Sequence, residues 1–156
     1  MFKLKVLAVG KMKEPFWRGA QEEFVKRLGP AARVEVVEVA AERLGGSVTD
    51  EEAMRRESER LVARVPDGAA VVALDKSGVQ EPSERFARSL EEIGRDGTAI
   101  VFLIGGAAGL HAEVLARADR KLSLSEMTLP HELARVFLLE QLYRATQILQ
   151  GGKYHR

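Results

Sequence analysis

The sequence contains no cysteine and no asparagine, and a single tryptophan in 156 residues. Without cysteine the chain has no disulfide, no thiol nucleophile and no thiolate metal site. It also lacks any uncharged apolar run of about eighteen residues, so no segment is long enough to cross a membrane as a helix. Met1–Val6 interleaves Lys3 and Lys5 with apolar residues. A secretory signal would need a continuous apolar stretch there, so a cytoplasmic location is expected. Loss of heat-labile Asn and Cys, with Arg outnumbering Lys 16 to 8, fits a thermophile and equally a nucleotide-composition bias. No Ser-His-acid order and no His pair at helical spacing occurs. His111, His131 and His155 are too scattered for a zinc site, so no metal is expected.

What is present describes one globular domain over residues 1–156. A 46% apolar share excludes a disordered chain. A chain of 17.2 kDa should bury about two-thirds of its surface, enough for a core without staples. The net charge of +1 gives little bulk attraction to nucleic acid, but its distribution is uneven. Residues 1–13 hold Lys3, Lys5, Lys11 and Lys13 with no acid, and residues 141–156 hold Arg144, Lys153 and Arg156 with none. Two basic ends can make a local patch on a near-neutral protein, or can be merely solvated.

The apolar period switches regularly between strand and helix templates. Phe2–Val9 and Arg33–Val39 read as strands, and Ala69–Leu74 and Thr98–Ile104 as short, wholly apolar buried strands. Phe16, Ala20, Phe24 and Leu28 mark a helix over Pro15–Leu28 that stops at Gly29-Pro30. Thr49 and Glu52 form a capping box before a helix with Met54, Leu61, Val62 and Val65 on one face. Ser83 caps a third helix carrying Phe86, Leu90 and Ile93. A short helix near Ala112–Ala118, a short strand near Lys121–Leu124 and a long helix opened by Pro130 and ended by Gly151-Gly152 complete the chain. The alternation predicts an α/β fold, a mostly parallel sheet with helices on both faces. Val136-Phe137-Leu138-Leu139 makes the last helix apolar on more than one side. It is therefore either a central core helix or half of a two-fold interface.

In open parallel sheets ligands bind beyond the carboxyl ends of the strands. Three loops leave such ends: Asp75–Pro82, Gly105–Gly109 and Ser125–Thr128. The glycine turn after a buried strand lets backbone approach a ligand, although such a turn is also an ordinary structural device. It is neither a P-loop nor G-x-G-x-x-G, since position 107 is Ala. Ser123–His131 passes through small hydroxyl residues into a Pro-initiated helix, where Thr128 or a neighbour can simply cap. The terminal Lys153-Tyr154-His155-Arg156 either frays or offers an aromatic for stacking and cations for phosphate.

Three separated motifs carry a family resemblance over the whole chain. They are Phe102–Leu110 with its glycine turn, Leu124-Ser125-Glu126-Met127-Thr128-Leu129-Pro130-His131 continuing through Arg135-Val136 to Glu140–Ala145, and the ending Tyr154-His155-Arg156. Leu7–Lys11 also fits. Together they resemble the ribosomal large-subunit RNA pseudouridine N3-methyltransferases, the H-type members of the SPOUT superfamily. Where many relatives carry Pro-Glu or another polar pair, this chain has Ala107-Ala108.

The resemblance implies a trefoil knot in the carboxyl-terminal part, against the general rarity of knots, and a homodimer. It implies S-adenosylmethionine held by Leu74, Gly105, Gly106, Leu124, Ser125, Glu126, Met127, Thr128 and Leu129. The methylated atom would be N3 of a pseudouridine in 23S ribosomal RNA, on the assembled ribosome. The acid-free basic terminus, following a helix suited to dimerisation, points to His155, Arg156 and Arg144, with Tyr154 nearby, as the catalytic surroundings, reaching the partner subunit's cofactor. Two alternatives stay open: a SPOUT enzyme acting on transfer RNA, and a non-catalytic nucleotide-binding dimer.

Overall fold

The computed structural model describes residues 1–156. Five strands, β1 (Phe2–Val9), β2 (Ala32–Val39), β3 (Ala70–Val79), β4 (Ile100–Ile104) and β5 (Arg120–Leu122), form one sheet in the order β2-β1-β4-β3-β5. Every pairing is parallel. Such a sheet must be covered on both faces. Helices α1 (Pro15–Leu28), α3 (Ser83–Gly94) and α5 (His131–Leu149) cover one face, and α2 (Asp50–Val62) and α4 (Ala112–Arg117) the other.

Side chains alternate accordingly. Leu4, Val6, Ala8, Phe102 and Ile104 meet Leu138, Leu139 and Leu142 of α5, with Leu28 of α1 and Leu90 of α3 alongside. Leu7, Val9, Val101 and Leu103 meet Leu61 of α2 and Val114 of α4. α5 lies between α1 and α3, so its wide apolar surface is largely a core surface. Leu138, Leu139 and Leu142 are fully buried, while Phe137 stays 37% exposed. Truncating Leu139 to Ala would cost about 2–5 kcal/mol.

Several local expectations need correction. β3 continues to Val79, because an irregularity lets both Leu74 and Val79 pair with Leu122. The short strand ends at Leu122, two residues early, and α4 ends at Arg117. Ser83 does not cap α3: Pro82 is the N-cap, and Ser83 Oγ bonds Gln141 Oε1 at 2.7 Å instead. Nor does Thr128 cap α5, whose N-cap is Pro130. Half of the predicted capping box forms: Thr49 Oγ1 accepts from the Glu52 amide at 3.1 Å, while the Glu52 carboxylate turns to Arg56. The stop at Gly151-Gly152 is a Schellman turn, with Gly151 at φ 69° and its amide and that of Gly152 bonded to Ile148 O and Gln147 O.

Two helix faces also differ from their periodicity. In α1 only Leu28 is fully buried, and Phe16 is 64% exposed. In α2 the inward residues are Ala53, Glu57, Ser58 and Leu61, while Val62 faces solvent.

Candidate functional site at the carboxyl ends of the strands

Registers put the relevant strand ends at one level. Ala73 pairs with Leu103 and Leu74 with Leu122, so Leu74, Ile104-Gly105 and Leu122-Ser123 lie side by side. From β5 at the edge, the chain must reach His131, the first residue of α5. The His131 Cε1 atom is 3.5 Å from where a side chain on Gly10 would begin, at the end of β1. Between β5 and β1 stand β3 and β4, three strand spacings or about 14 Å. The segment 123–130 therefore spans the carboxyl edge of the sheet past β3 and β4, the edge from which the glycine turn also leaves. The predicted Gly105–Gly109 and Ser125–Thr128 loops both leave this edge, whereas Asp75–Val79 of the third predicted loop belongs to β3.

The turn is built for close approach. A Cβ on Gly105 would sit 2.6 Å from the Gly109 carbonyl carbon, and Gly109 itself has φ +87°. The turn closes through Gly109 N–H to Gly106 O at 3.0 Å. The crossing segment is held by its own hydroxyls. Ser125 Oγ accepts from the Met127 amide at 2.9 Å and Ser123 Oγ donates to Ser125 O at 3.2 Å. Leu74, Leu124 and Leu129 are half-buried apolar walls, while Glu126, Met127 and Thr128 are exposed. Next to this region a cleft of about 220 Å³ is lined by Ser83, Leu122, Ser123, Leu124, Phe137 and Gln141 among others. Apolar walls with a few fixed polar groups suit a nucleoside.

The carboxyl-terminal tail does not fray. Tyr154 packs edge-on against Tyr143, with ring centroids 4.8 Å apart, and the Arg144 guanidinium lies 4.7 Å over its ring. Its hydroxyl donates to Glu140 Oε1 at 3.1 Å, and His155 Nε2 lies 2.8 Å from Glu84 Oε1. Burial, with the neighbouring Glu140 carboxylate, raises the Tyr154 pKa, so the phenol keeps its proton. The hydrogen bond from His155 holds the Glu84 carboxyl below its usual range. Glu140 also bonds Arg144 at 2.5 Å and raises its pKa further. Arg156 is exposed. Arg144, Tyr154 and His155 form one cluster, but it lies well down α5, with Arg144 roughly 20 Å below His131 at 1.5 Å per residue. Within one subunit the tail cluster and the glycine turn are separate.

Three buried groups near the site escape a sequence pattern. Glu57 is 3% exposed, and its Oε1 has no partner while Oε2 accepts from the Glu42 amide at 2.9 Å. Both oxygens lie within about 3.1 Å of where a Gly106 side chain would begin, and burial raises the Glu57 pKa. His131 Nδ1 is a second unpartnered buried atom. Arg135, wholly buried, donates to Glu38 Oε2 at 2.6 Å and to Gly10 O at 3.1 Å. The available signal was position: Glu57 lies four residues from both Ala53 and Leu61, on the apolar stripe. No three His, Asp or Glu side chains are grouped to hold a metal ion, and no helix is long and apolar enough to cross a membrane.

Comparison with known proteins places this architecture. A probable methyltransferase from Bordetella pertussis Tohama I aligns with TM-score 0.56 and 16% identity, over 93% of this chain and 96% of that one. A probable methylase family protein from Haemophilus influenzae Rd KW20 aligns with TM-score 0.54 and 14% identity, over 98% and 70%. A protein whose structure concerns the 2-OH methylation of C/U34 on tRNA aligns with TM-score 0.52 and 19% identity, over 96% and 98%. At these identities the likeness is one of fold. The profile described as "Predicted SPOUT methyltransferase" matches residues 2–155, nearly the whole chain, and the chain therefore belongs to the SPOUT methyltransferase family.

Proposed function

We propose that this chain is an S-adenosylmethionine-dependent methyltransferase that acts on N3 of a pseudouridine in 23S ribosomal RNA, as a knotted homodimer and on the assembled ribosome. The cofactor part is supported by the strand registers, which put Leu74, Ile104 before the Gly105–Gly109 turn, and Leu122 before segment 123–130 at one level of the sheet edge. The residues present fit an adenosine: Leu74, Leu124 and Leu129 offer half-buried apolar walls, and Gly105, Gly106 and 124–129 offer backbone groups for edge contacts. When bound, S-adenosylmethionine supplies a methyl group already activated by a sulfonium charge.

The chain's own contribution is to hold the acceptor nitrogen in line, which is mainly a saving in orientational entropy. The N3 proton lies between two carbonyls. It must pass to solvent or a neighbouring base as N3 bonds the methyl carbon, and the negative charge its loss puts on those oxygens must be stabilised. Tyr154 as a neutral phenol, Arg144, His155 and Arg156 supply donors and cations for that purpose. Because this cluster is remote from the glycine turn of its own subunit, the proposal has it serve the turn of a partner. Phe137, left 37% exposed on α5 beside the cleft, supports a second copy packing there.

A transfer RNA substrate is the second reading. It is favoured by the structural likeness to a protein concerned with tRNA methylation. One experiment separates them. Ribosomes, protein-free ribosomal RNA and transfer RNA from cells lacking the protein are each incubated with the enzyme and methyl-labelled cofactor. Label confined to 23S RNA, mapped to a pseudouridine, is the expected outcome. Label on transfer RNA transfers the activity to the second reading, and no label anywhere leaves a nucleotide-binding dimer.

A further inference from the structure

Residues Gly10–Arg18, between β1 and the first turn of α1, expose an aromatic ring among unpaired cations. Lys11, Lys13 and Arg18 are exposed and form no ion pair, and Glu14 is the one acid among them. Phe16 is 64% exposed, with its ring 5.1 Å from that of Trp17. Phe16 therefore contributes little to the core, although burying such a ring is ordinarily worth about 2 kcal/mol.

The segment is nevertheless fixed in place. Gly10 turns the chain at φ 90°, Met12 is 4% exposed, and its amide donates to Glu38 Oε2 at 2.9 Å. Buried Arg135 then ties Glu38 and Gly10 O to α5. The nearby carboxylate that could neutralise Lys11 is thus engaged inward, while the lysines point to solvent. This rigid surface leaves the carboxyl end of β1, which neighbours β4 and its glycine turn.

Resting on the RNA-methyltransferase reading above, we infer that Lys11–Arg18 is a docking surface for the RNA substrate. Phe16 stacks on an unpaired base, and Lys11, Lys13 and Arg18 hold phosphates. Free cations around an exposed ring are the chemistry that binds single-stranded nucleic acid. A two-fold contact centred on this surface would instead press the same three cations against their copies, so a second copy of the chain is the poorer occupant.

The test measures binding of the full-length protein to ribosomal large subunits and to protein-free ribosomal RNA across a salt series. K11Q/K13Q/R18Q should weaken RNA binding and lower the log–log salt slope by about 2 to 3, the share of three phosphate contacts. F16A should weaken binding about fivefold or more while leaving the slope unchanged. R64Q/R95Q, away from this surface, should match wild type, and all variants should bind S-adenosylhomocysteine equally by calorimetry. A triple variant with the wild-type slope overturns the inference. So does an F16A protein that sediments as a smaller species with RNA affinity intact. The two proposals fail separately. Methyl transfer with a slope indifferent to the triple variant removes only the docking surface. RNA binding through this segment without methyl transfer removes only the enzymatic reading.

Discussion

Arg135 Nη1 donates to Glu38 Oε2 at 2.6 Å, joining the first turns of α5 to the end of β2. Arg135 is fully buried, while the Glu38 side chain is 35% exposed. The two partners are therefore unequal. Burial tends to raise the Glu38 pKa, but the Arg135 and Met12 donors outweigh it and the net shift is downward.

Removing the acid should be the more damaging change. E38A leaves a guanidinium buried without its counter-ion and is expected to cost about 3 kcal/mol, from the behaviour of broken buried pairs. R135M leaves a carboxylate that can still reach water, and should cost less. Chemical denaturation of both variants checks the order. A lowered folded-state pKa contributes stability that is present above the unfolded value near 4.5 and lost as pH falls through the folded one. The wild-type advantage over E38Q should therefore shrink on acidification.

Glu57 should show the opposite pH dependence. Its raised folded-state pKa makes its contribution fully present below 4.5 and lost as pH rises through the folded value. Relative to E57Q, the wild-type protein should become less stable between acid and neutral pH. Thermal melts from pH 4 to pH 7 test this, and parallel curves for the two proteins would contradict it.

The glycines separate packing from flexibility. Gly105 has backbone 2.6 Å from a Cβ position, whereas Gly19 in α1 has nothing within 4 Å. G105A must displace the Gly109–Leu110 backbone and should weaken S-adenosylhomocysteine binding roughly tenfold or more. G19A should leave binding unchanged and stabilise the fold by about 0.5–1 kcal/mol. Calorimetry and melting of the two variants give both results, and equal ligand affinity in G105A would detach the turn from the cofactor.

The elements were legible in the sequence because apolar period and turn residues agree along most of the chain. Phe2–Val9 alternates and Pro15–Leu28 has a proline start and a glycine exit, and both come out at those limits. What escaped depends on tertiary partners. The period placed Phe16 inward, yet it is exposed, while Gln21 and Phe24 further along α1 meet Arg135 and Tyr143 of α5. Glu57 and Arg135 are charged residues within helices whose burial is not anticipated from the sequence. Only the fold shows that one faces Gly106 and the other a carboxylate on β2. The loops of the candidate cofactor site could be named from strand ends, whereas the strand order that sets their places along the sheet edge has β5 pairing outside β3, which no local pattern encodes.

The tail supports the last prediction. Tyr154 and His155 are anchored to Glu140 and Glu84, and none of residues 153–156 belongs to the buried core. Deleting residues 153–156 should then leave the melting temperature and S-adenosylhomocysteine affinity near wild type. Methyl transfer should fall by roughly a hundredfold or more, as expected when groups that handle a proton are lost. Y154F separates the phenol from the rest, because it keeps the ring under Arg144 and removes only the hydroxyl bound to Glu140. If the phenol donates to the developing oxyanion, Y154F should lower kcat with KM little changed. Mixing the deletion protein with a full-length G105A protein tests the composite arrangement. At cofactor concentrations too low to fill the G105A site, heterodimers pairing an intact turn with an intact tail should be more active than either parent. Full turnover in the deletion protein alone would remove the tail from the reaction.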